Sequence, residues 1–240
     1  IHRLQEFLRV QKGMDIKMGF PVISCERNGD WVRVESAAGE ELWSKKVIIC
    51  NGNDFKNLYP EVFADSDLEV SKLQMMQTKP QGNYELKGSI LTGWSIRRYE
   101  AFHECPSFAQ IKQDEPEDSL QKQWGVHILF KQAADGSVIL GDSHQYADAH
   151  KMEDLGYDLD MDIDNFMLEE AQKIIQLPTY QIQKRWYGMY SQCKNSDLFQ
   201  KTIDDHIHIV TGIGGKGMTG SAGFSKKNIA TIFNTQKINL

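Results

Sequence analysis

The 240-residue sequence has few cysteines and no long apolar runs, and each shortage excludes a class of protein. Its four cysteines lack metal-finger or redox spacing, so we expect incidental, reduced thiols in a cytoplasmic protein. No apolar run approaches the roughly 20 residues that cross a bilayer, which predicts that no membrane is a partner. Acidic residues number 33 against 27 basic ones, and this balance predicts no nucleic-acid partner.

Side chains at metal-ligand spacing are scarce as well. His206 and His208 alternate along one predicted strand, but no cysteine or third histidine stands at a suitable distance from them. The acids around Asp160 imitate a calcium-binding loop, yet Ile163 stands where that loop needs its turn glycine. The sequence therefore predicts no metal site.

A glycine-rich loop near the C-terminus is the strongest positive signal. An apolar strand over 206–210 leads into a loop over 211–219, which holds four glycines, and a helix is predicted over 222–233. Glycines let backbone amides approach a ligand closely, and a helix start offers unpaired N–H groups at a positive dipole end. The loop is thus a candidate site for an electron-rich group.

Several interpretations of this loop compete. A dinucleotide fingerprint expects an acidic residue about 20 positions on, where this sequence is near its end. A phosphate-binding P-loop is excluded because Val210 and Gly217 break its pattern. A plain turn that packs a helix on a strand stays open, as does a sugar-phosphate-binding α/β enzyme with an anion at 214–217.

A second strand–glycine unit lies near the N-terminus, at 47–54. An amphipathic helix over 1–12 ends at Gly13, a strand is predicted over 14–25, and Asn28-Gly29 predicts a hairpin. The apolar strand 47–50 then stops at Asn51-Gly52. The opening segment therefore reads as helix, strand, hairpin and buried strand.

The centre of the sequence is β-rich with helical insertions. Strands are predicted over 124–130 and 138–142, and Asp164 is predicted to cap a helix that ends before Pro178. The overall prediction is a mixed α/β (α+β) fold. One domain would comprise 1–70 and 198–240, and a substrate domain with an antiparallel sheet would comprise 71–197.

The two strand–glycine units, in this order, resemble the D-amino-acid, glycine and sarcosine oxidase superfamily. In its FAD domain the first strand typically ends in Ala-Thr-Gly or Ala-Ala-Gly, and the closing motif is usually Thr-Gly-His-Ser-Gly-His-Gly. The corresponding segments here are 47–52 and 211–219. Four central segments resemble a subgroup often found near aminophosphonate genes: 72–78, 91–99, 141–146 and 185–190.

The resemblance implies an incomplete FAD-binding domain beside a substrate domain. It further implies FAD-dependent oxidation of a small-molecule amine or amino acid to an imine, with an aminophosphonate as one candidate substrate. The cofactor-binding residues carried over from the family are Val22, Asn51, Gly52, Gly214, Gly215, Lys216, Gly217, Met218 and Thr219.

The candidate catalytic residues are Lys216 and Tyr190, which depart from the family pattern, and His144, which could donate to a phosphonate or carboxylate or be an ordinary hydrogen-bonded histidine. Lys216 stands where relatives commonly have histidine, and Tyr190 stands where glycine-oxidase-like relatives have an arginine that clamps a carboxylate. Tyr190, Arg97 and Arg98 are the candidate substrate-binding residues, since arginine suits carboxylate and phosphonate geometry. Structural explanations stay open for each: a solvated lysine, an aromatic packed beside Trp186, and a surface charge for at least one arginine.

Family members begin with a strand–glycine loop–helix that holds the ADP half of FAD, and none precedes Ile1. We therefore expect a fragment that is inactive in isolation and that self-associates through the surface exposed by truncation. The alternative function is a non-catalytic binding or interaction module that retains the fold.

Overall fold

The computed structural model describes residues 1–234. Seven α-helices are present in this part of the chain: α1 (His2–Lys12), α2 (Pro60–Ala64), α3 (Gly93–Ile96), α4 (Phe108–Asp114), α5 (Leu120–Gln123), α6 (Met161–Ile174) and α7 (Gly217–Ile232). Twelve strands accompany them: β1 (Val22–Asn28), β2 (Trp31–Ser36), β3 (Glu41–Ser44), β4 (Val47–Ile49), β5 (Leu68–Thr78), β6 (Ser89–Leu91), β7 (Leu129–Gln132), β8 (Val138–Gly141), β9 (Gln145–Asp148), β10 (Ile182–Cys193), β11 (Phe199–Ile203) and β12 (Ile207–Thr211). The predicted mixture of helices and sheets is confirmed.

The N-terminal elements follow their local sequence signals closely. Helix α1 ends at Gly13, whose φ of 63° is the left-handed conformation that glycine adopts readily. Asn28 pairs with Trp31 at the predicted hairpin, and β1, β2 and β3 form an antiparallel sheet. The strand predicted over 14–25 is wrong in its first part, because regular pairing begins only at Val22.

A three-stranded sheet joins the two ends of the sequence. Its order is β11-β12-β4, and β12 runs parallel to β4 with Ile207 opposite Val47 and Ile209 opposite Ile49. Strand β12 is buried over most of its length, as expected for a strand covered on both faces. The parallel pairing places the loops after β4 and β12 at one edge of the sheet.

The largest sheet has the order β10-β5-β8-β7-β6, and β9 also pairs with β5. The long strands β5 and β10 are antiparallel neighbours over almost their full length, from Leu68 opposite Cys193 to Thr78 opposite Ile182. A strand was predicted over 124–130, but β7 begins only at Leu129 because Trp124 ends α5 and Gly125 forms a turn with φ 55°.

Two clusters of buried apolar side chains stabilise the fold. The first surrounds the β11-β12-β4 sheet and includes Ile49, Phe63 and Ile209. The second packs α6 against the large sheet and includes Phe130, Leu140 and Met167. The division into a 1–70 plus 198–240 domain and a 71–197 domain stays a prediction.

The predicted cap of α6, Asp164, is wrong. Asp160 is the N-cap, and its side chain accepts a hydrogen bond from the backbone N–H of Asp162. Asp164 is instead fully buried within the helix, where Arg185 Nε lies 3.0 Å from its Oδ2 and Gln74 donates to its Oδ1 at 2.8 Å. A charged group that is paired and hydrogen-bonded in this way tolerates burial.

Helix α1 leaves its apolar stripe uncovered. Leu4, Phe7 and Val10 are each about half exposed, and no residue of α1 is buried.

Among the helices in residues 1–234, none combines the length and apolar character required to span a bilayer.

Candidate active site

The loops after β4 and β12 meet, as the sequence predicts for the two strand–glycine units. The carbonyl oxygen of Gly52 accepts hydrogen bonds from Thr211 Oγ1 at 2.6 Å and from Ser191 Oγ at 3.0 Å. The two hydroxyl oxygens are themselves 3.0 Å apart. Three segments distant in sequence are therefore fixed together at this edge of the sheet.

Close approach of neighbouring strands explains two glycines of the C-terminal loop. Gly212 has a φ of 76°, and a Cβ there would stand 2.5 Å from the Leu68 side chain. Gly214 has a φ of 62°, and its Cβ would stand 3.1 Å from that of Gln192. Residues with side chains would strain the backbone and crowd β10 at both positions.

The loop continues directly into α7 through a single 3-10 turn, Gly214–Lys216. Neither helix start has a side-chain cap, and the N–H of Gly217 donates back to the carbonyl of Gly214. The amide of Gly217 is therefore used within the turn. The N–H groups of Gly214 and Gly215 are the first of the helical run, where no intrahelical acceptor exists.

A cavity of about 650 Å³ adjoins this turn. The loop from Gly212 to Lys216 forms part of its lining, and three tyrosines and a guanidinium group form another part. The remaining lining comes from Glu69, from the end of β10 and from the segment after it. The aromatic and guanidinium residues of the lining are Arg98, Tyr99, Tyr146 and Tyr190.

Arg98 holds the positive charge of this part of the lining. Its Nη1 donates to His144 Nε2 at 2.9 Å, and its Nη2 lies 3.4 Å from the Tyr99 hydroxyl. These contacts leave a further N–H on each Nη atom, because a guanidinium group has five donors. A Cβ on Gly215 would stand 3.9 Å from Arg98 Nη2, so the loop and the guanidinium group approach each other closely in the lining of the cavity.

A buried pair of histidines supports Arg98 from behind. Because Nε2 of His144 accepts from Arg98, we assign the ring proton of His144 to Nδ1, which donates to His127 Nδ1 at 3.0 Å. Burial lowers the pKa of His144 to about 4 and that of His127 to about 3. Both imidazoles are therefore neutral near neutral pH.

Asp142 lies beside this pair and completes a cluster that the sequence did not reveal. Burial raises the pKa of its carboxyl group to about 6, and the positive charge of Arg98 opposes that rise. Asp142 and His127 exchange two backbone hydrogen bonds, of 2.6 and 2.7 Å. This pairing extends the β7–β8 hairpin, for which strands are predicted over 124–130 and 138–142, and 141–146 is also one of the segments identified by resemblance.

The same three residues place potential ligand atoms within 4.8 Å of one another. Their hydrogen bonding disfavours a metal ion nonetheless. A histidine that ligates through Nδ1 normally carries its proton on Nε2 and donates it to an acceptor. Here His144 Nε2 faces the Nη1 donor of Arg98, so the two N–H groups would oppose each other.

The structure brings several predicted site residues to one cavity. Tyr190, Arg98, Lys216, Gly214 and Gly215 all line it. The hydroxyl of Tyr190 lies 3.2 Å from His144 Nε2, which makes His144 a shared acceptor for Arg98 and Tyr190. His144 itself, with only 1% of its side chain exposed, lies behind the wall.

Lys216 lines the cavity but is not isolated in charge, because its Nζ pairs with Asp197, another lining residue. Other predicted residues do not line the cavity, and Asn51, Gly52 and Gly217 are among them. Arg97 donates through Nε to Glu115 at 3.1 Å and lies outside the lining as well. Val22 packs against the first apolar cluster, and Met218 is 96% exposed, with Thr219 exposed beside it.

Sequence reasoning missed the tyrosines Tyr99 and Tyr146 as well as Gln192. Gln192 stands two residues after Tyr190 on β10 and therefore shares its strand face. Gln192 Nε2 donates to Glu69 Oε1 at 2.7 Å. Strand alternation from Tyr190 was the available signal for this residue.

Comparison with models of protein families assigns the chain to one family. The model of the FAD dependent oxidoreductase (DAO) family matches residues 3–228, and the chain belongs to this family. FAD is the cofactor of the family. No curated protein matches the sequence significantly.

Solved structures share the fold at low identity. Glycine oxidase from Geobacillus kaustophilus aligns with a TM-score of 0.60 and 9% identity over 90% of this chain and 49% of its own. Iminodiacetate oxidase from Chelativorans sp. BNC1 aligns with a TM-score of 0.60 and 11% identity over 93% and 51%, respectively. NikD, an amino acid oxidase essential for nikkomycin biosynthesis, aligns with a TM-score of 0.65 and 9% identity over 96% and 55%. The chain spans about half the length of each of these structures.

Proposed function

We propose that this member of the FAD dependent oxidoreductase family forms the flavin-edge and substrate half of an enzyme that oxidises a small amine or amino acid to an imine. One observation carries the proposal. The cavity is lined by the glycine loop that was assigned to the cofactor and also by Arg98 and Tyr190, which were assigned to the substrate.

The residues around the loop fit a flavin. Gly212 and Gly214 let the loop lie directly against Leu68 and Gln192, and the helical turn that follows begins without a side-chain cap, so its first amide N–H groups are offered at the cavity wall. Asn51, at the end of β4, donates to the Asp54 carbonyl, whereas its Oδ1 is buried without a partner within residues 1–234. This orphaned acceptor lies at the same edge of the sheet as the glycine loop, because the carbonyl of the adjacent Gly52 accepts from Thr211, and a donor on a bound heterocycle would satisfy it.

The cofactor, when bound, accepts a hydride equivalent from the carbon next to the substrate nitrogen. The amides of Gly214 and Gly215 and the dipole of α7 stabilise negative charge that grows beside the loop. Lys216 adds a positive charge to the same wall, which Asp197 balances in the structure. This side chain therefore acts on the cavity only to the extent that Asp197 releases it.

Arg98 anchors the anionic group of the substrate in this proposal. Its two remaining Nη hydrogens can bind two oxygens of one carboxylate or phosphonate, which is the geometry that favours arginine over lysine. Arg98 thus replaces the carboxylate-binding arginine of glycine-oxidase-like relatives, whose position is occupied by Tyr190 in this sequence. Carboxylated amines and aminophosphonates are the substrate classes that follow.

Tyr190 and His144 orient the substrate in different ways. The Tyr190 hydroxyl donates towards His144, so its oxygen can accept a hydrogen bond from the substrate N–H. His144 remains neutral and buried, and it positions both Tyr190 and Arg98. The proposal therefore assigns His144 to positioning rather than to direct contact with the substrate.

The experiment that tests the function is anaerobic mixing of the complete, FAD-loaded protein, with its ADP-binding unit, with matched amines. Glycine, N-methylglycine and aminomethylphosphonate carry an anionic group, whereas methylamine lacks one. We expect loss of the oxidised-flavin absorbance with at least one anionic amine and none with methylamine. A protein that stays colourless after incubation with FAD would instead favour the non-catalytic binding module.

We also propose that the ADP half of FAD is held by residues outside this sequence, and that the isolated chain is inactive for that reason. The uncovered stripe of α1 supports the further proposal of self-association, because an apolar face of this kind gains free energy when it is covered. Sedimentation at rising protein concentration measures that association, and a monomer throughout would contradict it.

A further inference from the structure

The carboxyl group of Asp142 has no place in the proposed reaction, although it lies directly behind the cavity wall. Its oxygens are 3.9 Å from His127 Nδ1 and 3.8 Å from His144 Nε2, which is too far for a hydrogen bond. Oδ1 is buried and finds no partner in the described part of the chain. A buried carboxylate with so few donors is costly, and the nearest compensation is the charge of Arg98.

The groups around Asp142 leave it as the one that titrates near neutral pH. His127 and His144 stay neutral because burial lowers the pKa of each to about 3 and about 4. Burial raises the pKa of Tyr146 to about 12, so its phenol is neutral too. Arg98 is permanently charged. The charged and titratable groups that act on this cluster are Arg98, Lys112, His127, His144, Tyr146, Tyr190 and Glu69.

We propose that Asp142 competes with the anionic group of the substrate for the positive charge of Arg98, and that the anion binds as the Asp142 carboxylate takes up one proton. This inference rests on the proposed role of Arg98 as the anion anchor. The proton comes from solvent and forms an O–H bond on Asp142. The cluster of guanidinium, carboxyl group and bound anion then has no net charge.

The physical reason is the cost of two anions beside one buried cation. With Asp142 ionised, a bound anion would leave one uncompensated negative charge in a site of low dielectric constant. Protonation of Asp142 removes this negative charge. The neutral carboxyl group also has an O–H that can donate a hydrogen bond to a nearby acceptor. Asp142 thus determines how tightly an anion binds at a given pH.

Isothermal titration calorimetry with methanesulfonate tests the inference without relying on turnover. This probe remains a monoanion between about pH 5 and about pH 8, so any proton exchanged belongs to the protein. In two buffers of different ionisation enthalpy, the FAD-loaded protein should take up close to one proton per anion at the upper end of that range. Its affinity should fall about tenfold or more from the lower to the upper end.

Two variants sharpen the comparison. Asp142→Asn should bind methanesulfonate without proton uptake and with an affinity that does not change with pH. Glu117→Gln removes a charge from a side chain that is 93% exposed, and it should keep the wild-type profile. Zero proton uptake by the wild type, or an unchanged pH dependence in Asp142→Asn, would overturn the inference. The wild-type measurement decides the matter even if Asp142→Asn does not fold.

Failure of this inference is distinguishable from failure of the proposed anchor. If Arg98→Met binds methanesulfonate as tightly as the wild type, the anchor is wrong and the role of Asp142 is wrong with it. If Arg98→Met loses binding while Asp142→Asn keeps the wild-type pH dependence, only the role of Asp142 is contradicted.

Discussion

Arg97 and Arg98 are neighbours in sequence with opposite surroundings. Arg97 is neutralised by Glu115, a carboxylate 18 residues further along the chain. Arg98 contacts an imidazole and a phenol rather than a carboxylate, and its Nε is buried without a partner within residues 1–234. Of these two arginines, Arg98 is therefore the one whose charge acts on the cavity, and the buried Asp142 is the carboxylate that opposes it.

Matched lysine substitutions test this contrast. Arg98→Lys keeps the charge but loses the two-pronged geometry, so kcat/KM for an anionic amine should fall by about 10- to 100-fold, mostly through KM. Arg97→Lys should change KM by less than about threefold, because its partner is Glu115 rather than the substrate. Steady-state kinetics of the two variants make the comparison, and equal effects would contradict the assignment.

The sequence does not distinguish Arg97 from Arg98. Both are candidate substrate-binding residues because adjacent residues point in different directions and no local signal says which one faces the site. Glu115 distinguishes the two arginines because it binds Arg97, and this contact between residues 18 positions apart matches no short sequence motif. Asp142 and His127 were missed as site residues for the same reason: the hairpin that pairs them has a local signal, but the proximity of their side chains to Arg98 has none.

The glycine loop and the two strands that contact it form one structural unit at the element scale. Gly212 is enclosed by the Leu68 side chain and by Cys193 Sγ, which would lie 3.0 Å from a Cβ at this position. The loop conformation is thus determined by β5 and β10 as much as by its own sequence. A change at Gly212 should disturb the cavity wall and the stability of the fold together.

A pair of glycine-to-alanine substitutions tests this coupling. Gly212→Ala meets both a left-handed backbone and the Leu68 side chain, and it should lower the free energy of unfolding by about 2 to 4 kcal/mol. Gly220→Ala lies within α7 with open space around it and should raise that free energy by about 0.5 to 1 kcal/mol. Urea unfolding measures both, and an equally stable Gly212→Ala would refute the packing argument.

Elements with strong local signals were predictable from the sequence. Helix α1 with its terminal Gly13, the Asn28-Gly29 hairpin and the β4 strand all match their patterns. The α6 cap was placed four residues late because Asp160 and Asp164 are equally good caps in isolation. The two aspartates have different roles because Arg185 and Gln74 provide partners for Asp164 inside the fold, which leaves Asp160 as the cap.

At the scale of the whole molecule, the described residues carry one side of a cofactor site. The chain spans 49 to 55% of the length of the compared oxidases. In our proposal the C-terminal glycine loop provides amide donors for the flavin edge. It does not bind the pyrophosphate of FAD in this proposal. The two ends of FAD should therefore depend on different parts of the complete protein.

Flavin affinities test this division. If the ADP half contacts residues outside the sequence, this chain should bind riboflavin and FAD with affinities within about threefold of each other. A longer protein that includes the ADP-binding unit should prefer FAD by about 100-fold or more, which corresponds to about 3 kcal/mol. Fluorescence quenching of the flavin measures both affinities. A strong preference for FAD by the 240-residue chain would contradict the division.

In our proposal an anionic amine is oxidised in the cavity that the glycine loop and Arg98 help to line. Anaerobic reduction of the flavin in the complete, FAD-loaded protein tests this. We expect loss of the oxidised-flavin absorbance with glycine, N-methylglycine or aminomethylphosphonate, and a much slower loss in Arg98→Met. Reduction that is equally fast with methylamine, or in Arg98→Met, would contradict the claim.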